Sequence, residues 1–205
     1  VNYVHYWSSS FFDYKEVAKD LFEEKSMYLW SPHLYSGVPF LGNPETFFIS
    51  LPLLLIFLLK SNTILAINLT LIISFFLSGL GMYLLLFEFK RSHKAALVAA
   101  LVFMFNNAVF GFGLMGNISI IVPLSLMAFV FLFMHKAFYE KSFIVYATIA
   151  SLIAAFQIHT GGMIIFLYTF ILIALYAAFS LIGKDLKNRI IKITLIMLIF
   201  VIFTV

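Results

Sequence analysis

From Thr63 onward the sequence is a succession of long apolar runs broken by short polar turns. A run of about 20 apolar residues is the length at which an α-helix crosses the hydrocarbon core of a bilayer. Inside that core every backbone N–H and C=O needs an internal partner, and a helix supplies it within one segment. The runs cover 63–89, 95–110, 118–134, 142–158 and 163–182, and a sixth starts near Ile190. Only 11% of the residues are charged, against about 25% in soluble domains. The expected fold class is therefore all-α, a polytopic helical membrane protein with about six spans, the last one truncated. Cysteine is absent, which excludes disulfides, thiol catalysis and thiolate metal sites.

Two regions follow from this pattern. Residues 63–205 form the transmembrane bundle, and residues 1–62 form a long loop with surface helices. The sequence reads as part of a longer chain, because it starts at Val1 without a methionine and stops inside an apolar run. No signal peptide is visible. In Phe11–Lys25, the residues Tyr14, Val17, Ala18, Leu21 and Phe22 share one helical face, which predicts an amphipathic surface helix. The stretch Trp30–Pro52 holds four of the five prolines, with Gly37 and Gly42 among them. These residues favour turns over helix. Phe47–Leu59 is apolar but spans only roughly 20 Å as a helix, too short for a ~30 Å core. It is expected to be interfacial or re-entrant.

Charge bias gives an orientation. The connections 88–94, 135–141 and 183–192 hold nine Lys/Arg and three acids, whereas the remaining segments hold four Lys/Arg and six acids. The Lys/Arg-rich side is cytoplasmic by the positive-inside rule. The loop before Thr63, the turn at 111–117 and the turn at 159–162 then share the outer face. This parity requires that 47–59 does not span. The net charge of +4 reports topology and gives no ground for nucleic-acid binding.

Polar and ionisable groups at membrane depth are costly and mark function more often than exposed ones do. They gather on the outer side. Asp13 has two readings: a carboxylate that takes a proton from an acceptor hydroxyl or contacts a metal, or an N3 residue completing a helix cap with Ser10. Glu16 and Asp20 fit a solvated helix face. His159, just before Thr160-Gly161-Gly162, is either a phosphate contact or an interfacial histidine satisfied by backbone. Gln157, one turn deeper, is expected to hydrogen-bond between helices. Asn106 and Asn107 are expected to end a span and Asn117 to open the next. His33 and Tyr35 line a substrate cleft or brace a rigid aromatic–proline loop. Pro123 fits an early-helix proline. Gly111-Phe112-Gly113-Leu114-Met115-Gly116 matches GxGxxG in letters only, because no strand precedes it.

The run Trp30-Ser31-Pro32-His33-Leu34-Tyr35-Ser36-Gly37-Val38-Pro39, followed by Asn43-Pro44-Glu45 and Phe47-Phe48-Ile49-Ser50-Leu51-Pro52, resembles the YfhO-type bacterial membrane proteins of the GT-C glycosyltransferase superfamily. Ala95–Met104, Gly116-Asn117 and Gln157-Ile158-His159 resemble that family's later helices and turns. The resemblance implies a GT-C-like fold in the plasma membrane with its site on the extracytoplasmic face. It implies an enzyme that moves a sugar from a polyprenyl-phosphate carrier to a cell-envelope glycan or polymer. Asp13 is the nearest match to the superfamily's first-loop acid. Trp30, His33, Tyr35, Gly37, Asn43, Glu45, Asn117 and His159 would bind substrate. The second outer turn carries no acid, so a divalent metal is left open without a named ligand set. The competing classes are a transporter or flippase, and a non-catalytic envelope assembly protein with a degenerate GT-C fold.

Overall fold

The structure, a computed structural model, describes residues 30–31, 38–39, 51–59, 62–181 and 195. The surface helix expected over Phe11–Lys25, the truncated last span and the site candidates Asp13, His33, Tyr35, Gly37, Asn43 and Glu45 lie outside the described residues. So do Glu16 and Asp20.

Among the described residues, seven helices follow one short β-ladder. β1 (Trp30–Ser31) and β2 (Val38–Pro39) pair antiparallel, with Trp30 opposite Pro39 and Ser31 opposite Val38. The helices are α1 (Leu51–Leu58), α2 (Thr63–Glu88), α3 (His93–Met104), α4 (Asn107–Leu114), α5 (Ile118–Tyr139), α6 (Phe143–His159) and α7 (Met163–Leu181). Among the described residues, three stretches are long and apolar enough to cross a membrane: α2, α3 taken together with α4, and α5. The apolar helices α6 and α7 are shorter, at 17 and 19 residues. Eight-residue α1 rises only about 12 Å and cannot cross.

Local chemistry sets the helix ends. Asn62 caps α2 by accepting from the Leu65 N–H at 3.2 Å, and Ser92 caps α3 by accepting from Ala95 N–H at 3.3 Å. Three helices close the same way. At α4 the Gly116 N–H donates to the Gly113 carbonyl and Asn117 N–H to that of Phe112; at α6 Gly161 donates to Ile158 and Gly162 to Gln157. At α2 the donors are Lys90 to Phe87 and Arg91 to Leu86. This double closure needs a left-handed residue, and Gly116 (φ 69°) and Gly161 (φ 82°) provide it without cost. Lys90 occupies the third such position at φ 56°.

α5 is the central helix, packed by α2, α4, α6 and α7. Half of its apolar window is buried, against 33% for α2 and 17% for α3–α4. Small residues allow the close approach. Ala147, Ala150 and Ala154 of α6 enter one core cluster with Val130, Met134 and Ala137 of α5 and Ile173 and Ala177 of α7. On α2, a Cβ at Gly81 would lie 3.0 Å from the Phe129 ring of α5, and one at Gly79 would lie 3.3 Å from Met104 Sδ of α3. A second cluster joins Ile56 of α1 to Ala66 and Ile67 of α2 and to Ile118, Ile121 and Val122 of α5. α1 therefore packs where α2 and α5 begin, at one end of the bundle.

Two expectations from the sequence are corrected. The span 95–110 followed by a turn at 111–117 is replaced by a helix interrupted at Phe105–Asn106 and resumed to Leu114. Asn106 makes the interruption: its Nδ2 donates to Phe103 O at 2.7 Å and its Oδ1 accepts from Val109 N–H at 2.9 Å. Gly113 stays helical because it is a contact surface, where a Cβ would lie 2.7 Å from Phe75. The connection expected at 135–141 shrinks to Glu140–Ser142, since α5 continues to Tyr139. His135 and Lys136 remain in the helix because both have partners on neighbouring helices. His135 Nδ1 bonds the Tyr176 hydroxyl of α7 at 2.5 Å, and Lys136 pairs with Glu88 of α2 at 3.1 Å.

Candidate functional site

The two ends of the bundle differ in chemistry. All charged side chains among the described residues lie at the end where α2 and α5 finish: Glu88, Lys90, Arg91, Lys94, Lys136, Glu140 and Lys141. Among the described residues the opposite end carries neutral amides, hydroxyls and one imidazole, including Asn62, Asn117, Gln157, Thr160 and His159.

The neutral end is held together by contacts between α5 and the α6–α7 turn. Gln157 is fully buried, and its Nε2 donates to the Pro123 carbonyl at 2.7 Å. Only the amide nitrogen can face a carbonyl, so the bond fixes the side chain and leaves Oε1 buried with no partner among the described residues. Gly162 sits directly on the Pro123 ring: a Cβ there would lie 2.2 Å from Pro123 Cγ. The Thr160 hydroxyl, also buried, donates to the carbonyls of Phe156 and Gln157. Pro123 is thus more than a tolerated early-helix proline. It is the surface on which the α6–α7 turn rests.

That packing places two sequence-predicted residues at one end. His159, the last residue of α6, is exposed and makes no hydrogen bond to the described residues. Asn117, half-buried, opens α5, and its Oδ1 accepts from the Ser119 hydroxyl at 2.7 Å. Its amide nitrogen has no partner among the described residues. The two are linked indirectly, since Phe156 of α6 packs on the cluster of Ile118, Ile121 and Val122. Trp30, the other described candidate, is defined by its backbone pairing with Pro39. This ladder closes 30–39 on itself, so that the run containing His33, Tyr35 and Gly37 starts and ends at one point.

An imidazole and an amide at an end without charged side chains among the described residues can hydrogen-bond hydroxyl or phosphate oxygens. They do not form an acid–base pair. The acids Asp13 and Glu45 stand in the preceding loop of the sequence. Among the described residues no three His, Asp or Glu side chains gather as a metal would require. Those residues do not fit a metal site.

The opposite end holds groups that the sequence did not pair. Lys136 Nζ, besides Glu88, lies 5.7 Å from the Tyr146 ring centre of α6. His135 meets Phe89 edge-on at 4.7 Å and Tyr139 at the same separation. Nothing in the local pattern around Glu88, His135 or Tyr176 could have identified these partners, because each lies on a different helix.

No protein-family model, curated protein or solved structure matches the chain. The class is accordingly the one the fold defines, a helical protein with three stretches long and apolar enough to cross a membrane.

Proposed function

We propose that the protein is a GT-C-type membrane glycosyltransferase, or the helical part of one, and that its working end is the neutral end of the bundle. The supporting observation is that Asn117 and an exposed His159, whose side chain has no partner among the described residues, lie at the same end of the bundle, where α1 packs, next in sequence to the loop that carries the family resemblance. In this reading the donor is a polyprenyl-phosphate sugar and the acceptor a cell-envelope glycan or polymer, at the outer face of the plasma membrane. The acceptor oxygen attacks the anomeric carbon, the sugar–phosphate bond breaks, and polyprenyl phosphate leaves with the bonding electrons. Asp13 takes the proton from the acceptor hydroxyl. His159 donates to the phosphate oxygens, Asn117 to a neighbouring substrate oxygen, and the 30–45 loop with Trp30, His33, Tyr35, Gly37, Asn43 and Glu45 shapes the sugar cleft. Apolar helix surfaces hold the polyprenyl chain.

The test is sugar transfer in proteoliposomes supplied with a polyprenyl-phosphate sugar. Asp13→Asn is expected to abolish transfer while helix content and detergent-solubilised size stay unchanged. Full activity in that variant removes Asp13 from the mechanism. One observation favours a second reading, a transporter or flippase: the interruption of α3–α4 at Asn106, since discontinuous helices frame binding sites in many transporters. Movement of lipid or solute in the same vesicles without transfer would select it. Absence of both activities would select the envelope assembly protein.

A further inference from the structure

The basic corner between α2 and α3 has no role in the transfer reaction and is built differently from the rest of the charged end. Lys90, Arg91 and Lys94 are all exposed, and none has an ion-pair partner among the described residues. Neither described acid answers them. The Glu88 carboxylate is held by Lys136 at 3.1 Å, and Glu140 accepts from the Tyr146 hydroxyl at 3.5 Å. His93, the remaining polar group of the turn, is fixed by the Tyr83 hydroxyl at 2.8 Å and by the Phe87 ring at 4.9 Å. The turn itself is closed by the backbone bonds from Lys90 and Arg91, with Lys90 forced to φ 56°. A lysine kept where glycine would relieve the backbone places a third cation beside Arg91 and Lys94.

Directly beyond this corner runs the least covered of the three span-length stretches, with only 17% of the α3–α4 window buried. Leu97, Val98, Leu101 and Val102 form its exposed face. Three cations without an acidic partner among the described residues, at the mouth of an exposed apolar face, match the two parts of one ligand class, a phosphate-bearing headgroup and its acyl chains.

We infer that the α2–α3 corner is a binding site for anionic phospholipid, with Lys90, Arg91 and Lys94 on the headgroup and the Leu97–Val102 face against the acyl chains. Clustered cations next to a span attract anionic headgroups by about fivefold in affinity for each Lys or Arg, and the attraction is screened by salt. The site selects by net charge. A zwitterionic lipid, whose phosphate is balanced by its own ammonium, gains little from it.

Because the chain has no cysteine, a single Val98→Cys carries one bimane label beside the corner. The full chain is reconstituted in vesicles that mix phosphatidylcholine and phosphatidylglycerol of the same chain length, with one or the other lipid brominated. Quenching then gives the affinity of phosphatidylglycerol relative to phosphatidylcholine. The expected ratio exceeds about tenfold at low salt, falls toward one in 1 M NaCl, and falls toward one in Lys90→Gln/Arg91→Gln/Lys94→Gln. Lys90→Arg/Lys94→Arg keeps the charges and should keep the ratio, which separates charge from a disturbed fold. A label at Ile164, exposed on α7, should report a ratio near one throughout. A ratio near one at position 98 in the parent, or an unchanged ratio in the triple Gln variant, overturns the inference.

Discussion

The two ends of the bundle solve the same problem, joining helices at a membrane boundary, with opposite chemistry. At the neutral end α5 and the α6–α7 turn are locked by shape and one buried amide: Gly162 against Pro123, and Gln157 on the Pro123 carbonyl. At the charged end α2, α5, α6 and α7 are tied by side chains reaching between helices, with Glu88 to Lys136, Lys136 over Tyr146, and His135 to Tyr176. Shape-locking leaves the polar groups of an end free for a ligand. Tying by ion pairs uses them up. The His159 side chain has no partner among the described residues at the first end, while the half-buried Glu88, His135 and Lys136 at the second are paired.

The comparison can be broken experimentally, and the largest effect is expected at Gly162. Gly162→Ala drives a methyl into the Pro123 ring and should destabilise the protein by about 3 kcal/mol, read as a lowered midpoint of thermal unfolding in detergent. A midpoint equal to the parent's would mean that the turn does not rest on Pro123. Next in size is Gln157→Leu. It removes the bond to the Pro123 carbonyl together with the buried, unpartnered Oε1, and a cost of about 1 kcal/mol follows from the usual worth of interhelical hydrogen bonds in membranes. A loss several times larger would show that Oε1 has a donor after all.

At the charged end the expected effects are smaller. Glu88 and Lys136 each keep a quarter of their side-chain surface exposed, so a double-mutant cycle of Glu88→Gln and Lys136→Met should return a coupling of about 1 kcal/mol or less. Coupling of several kcal/mol would make the ion pair, not the packing, the main tie. Lys90→Gly relieves the left-handed backbone and should raise stability by up to about 1 kcal/mol. Gly116→Ala, the reverse change at the equivalent closure of α4, should lower it by a similar amount.

Much of this architecture is legible in the residues, for identifiable reasons. Apolar runs mark where α2, α5, α6 and α7 lie, and the polar turn at 159–162 marks the joint of α6 and α7. The joint at Asn106 was not legible. Asn-Asn after an apolar run, with Gly111 and Gly113 next, has the composition of a turn. Only the packing of Phe75 on Gly113 makes that glycine a helix contact. His135 and Lys136 were assigned to a connection because they are polar, and partners on α2 and α7 keep them helical instead. The pairing of Gly162 with Pro123 was hidden for the same reason, since the two lie far apart in the chain. Of the candidate site, Asn117 and His159 lie at turns that the sequence marks, while Asp13 and most of the loop candidates rest on the sequence.

The claim that the neutral end is the working end is tested most directly by comparing one change at each end in the proteoliposome transfer assay. In the proposed reaction His159→Ala removes a hydrogen bond to the donor phosphate, and transfer should fall by roughly 10- to 100-fold, with the thermal midpoint unchanged. Lys136→Met, at the opposite end, should leave transfer within about twofold of the parent, since an exposed pair of this kind contributes about 1 kcal/mol or less to stability. Undiminished transfer in His159→Ala, or a selective loss in Lys136→Met, would contradict the assignment.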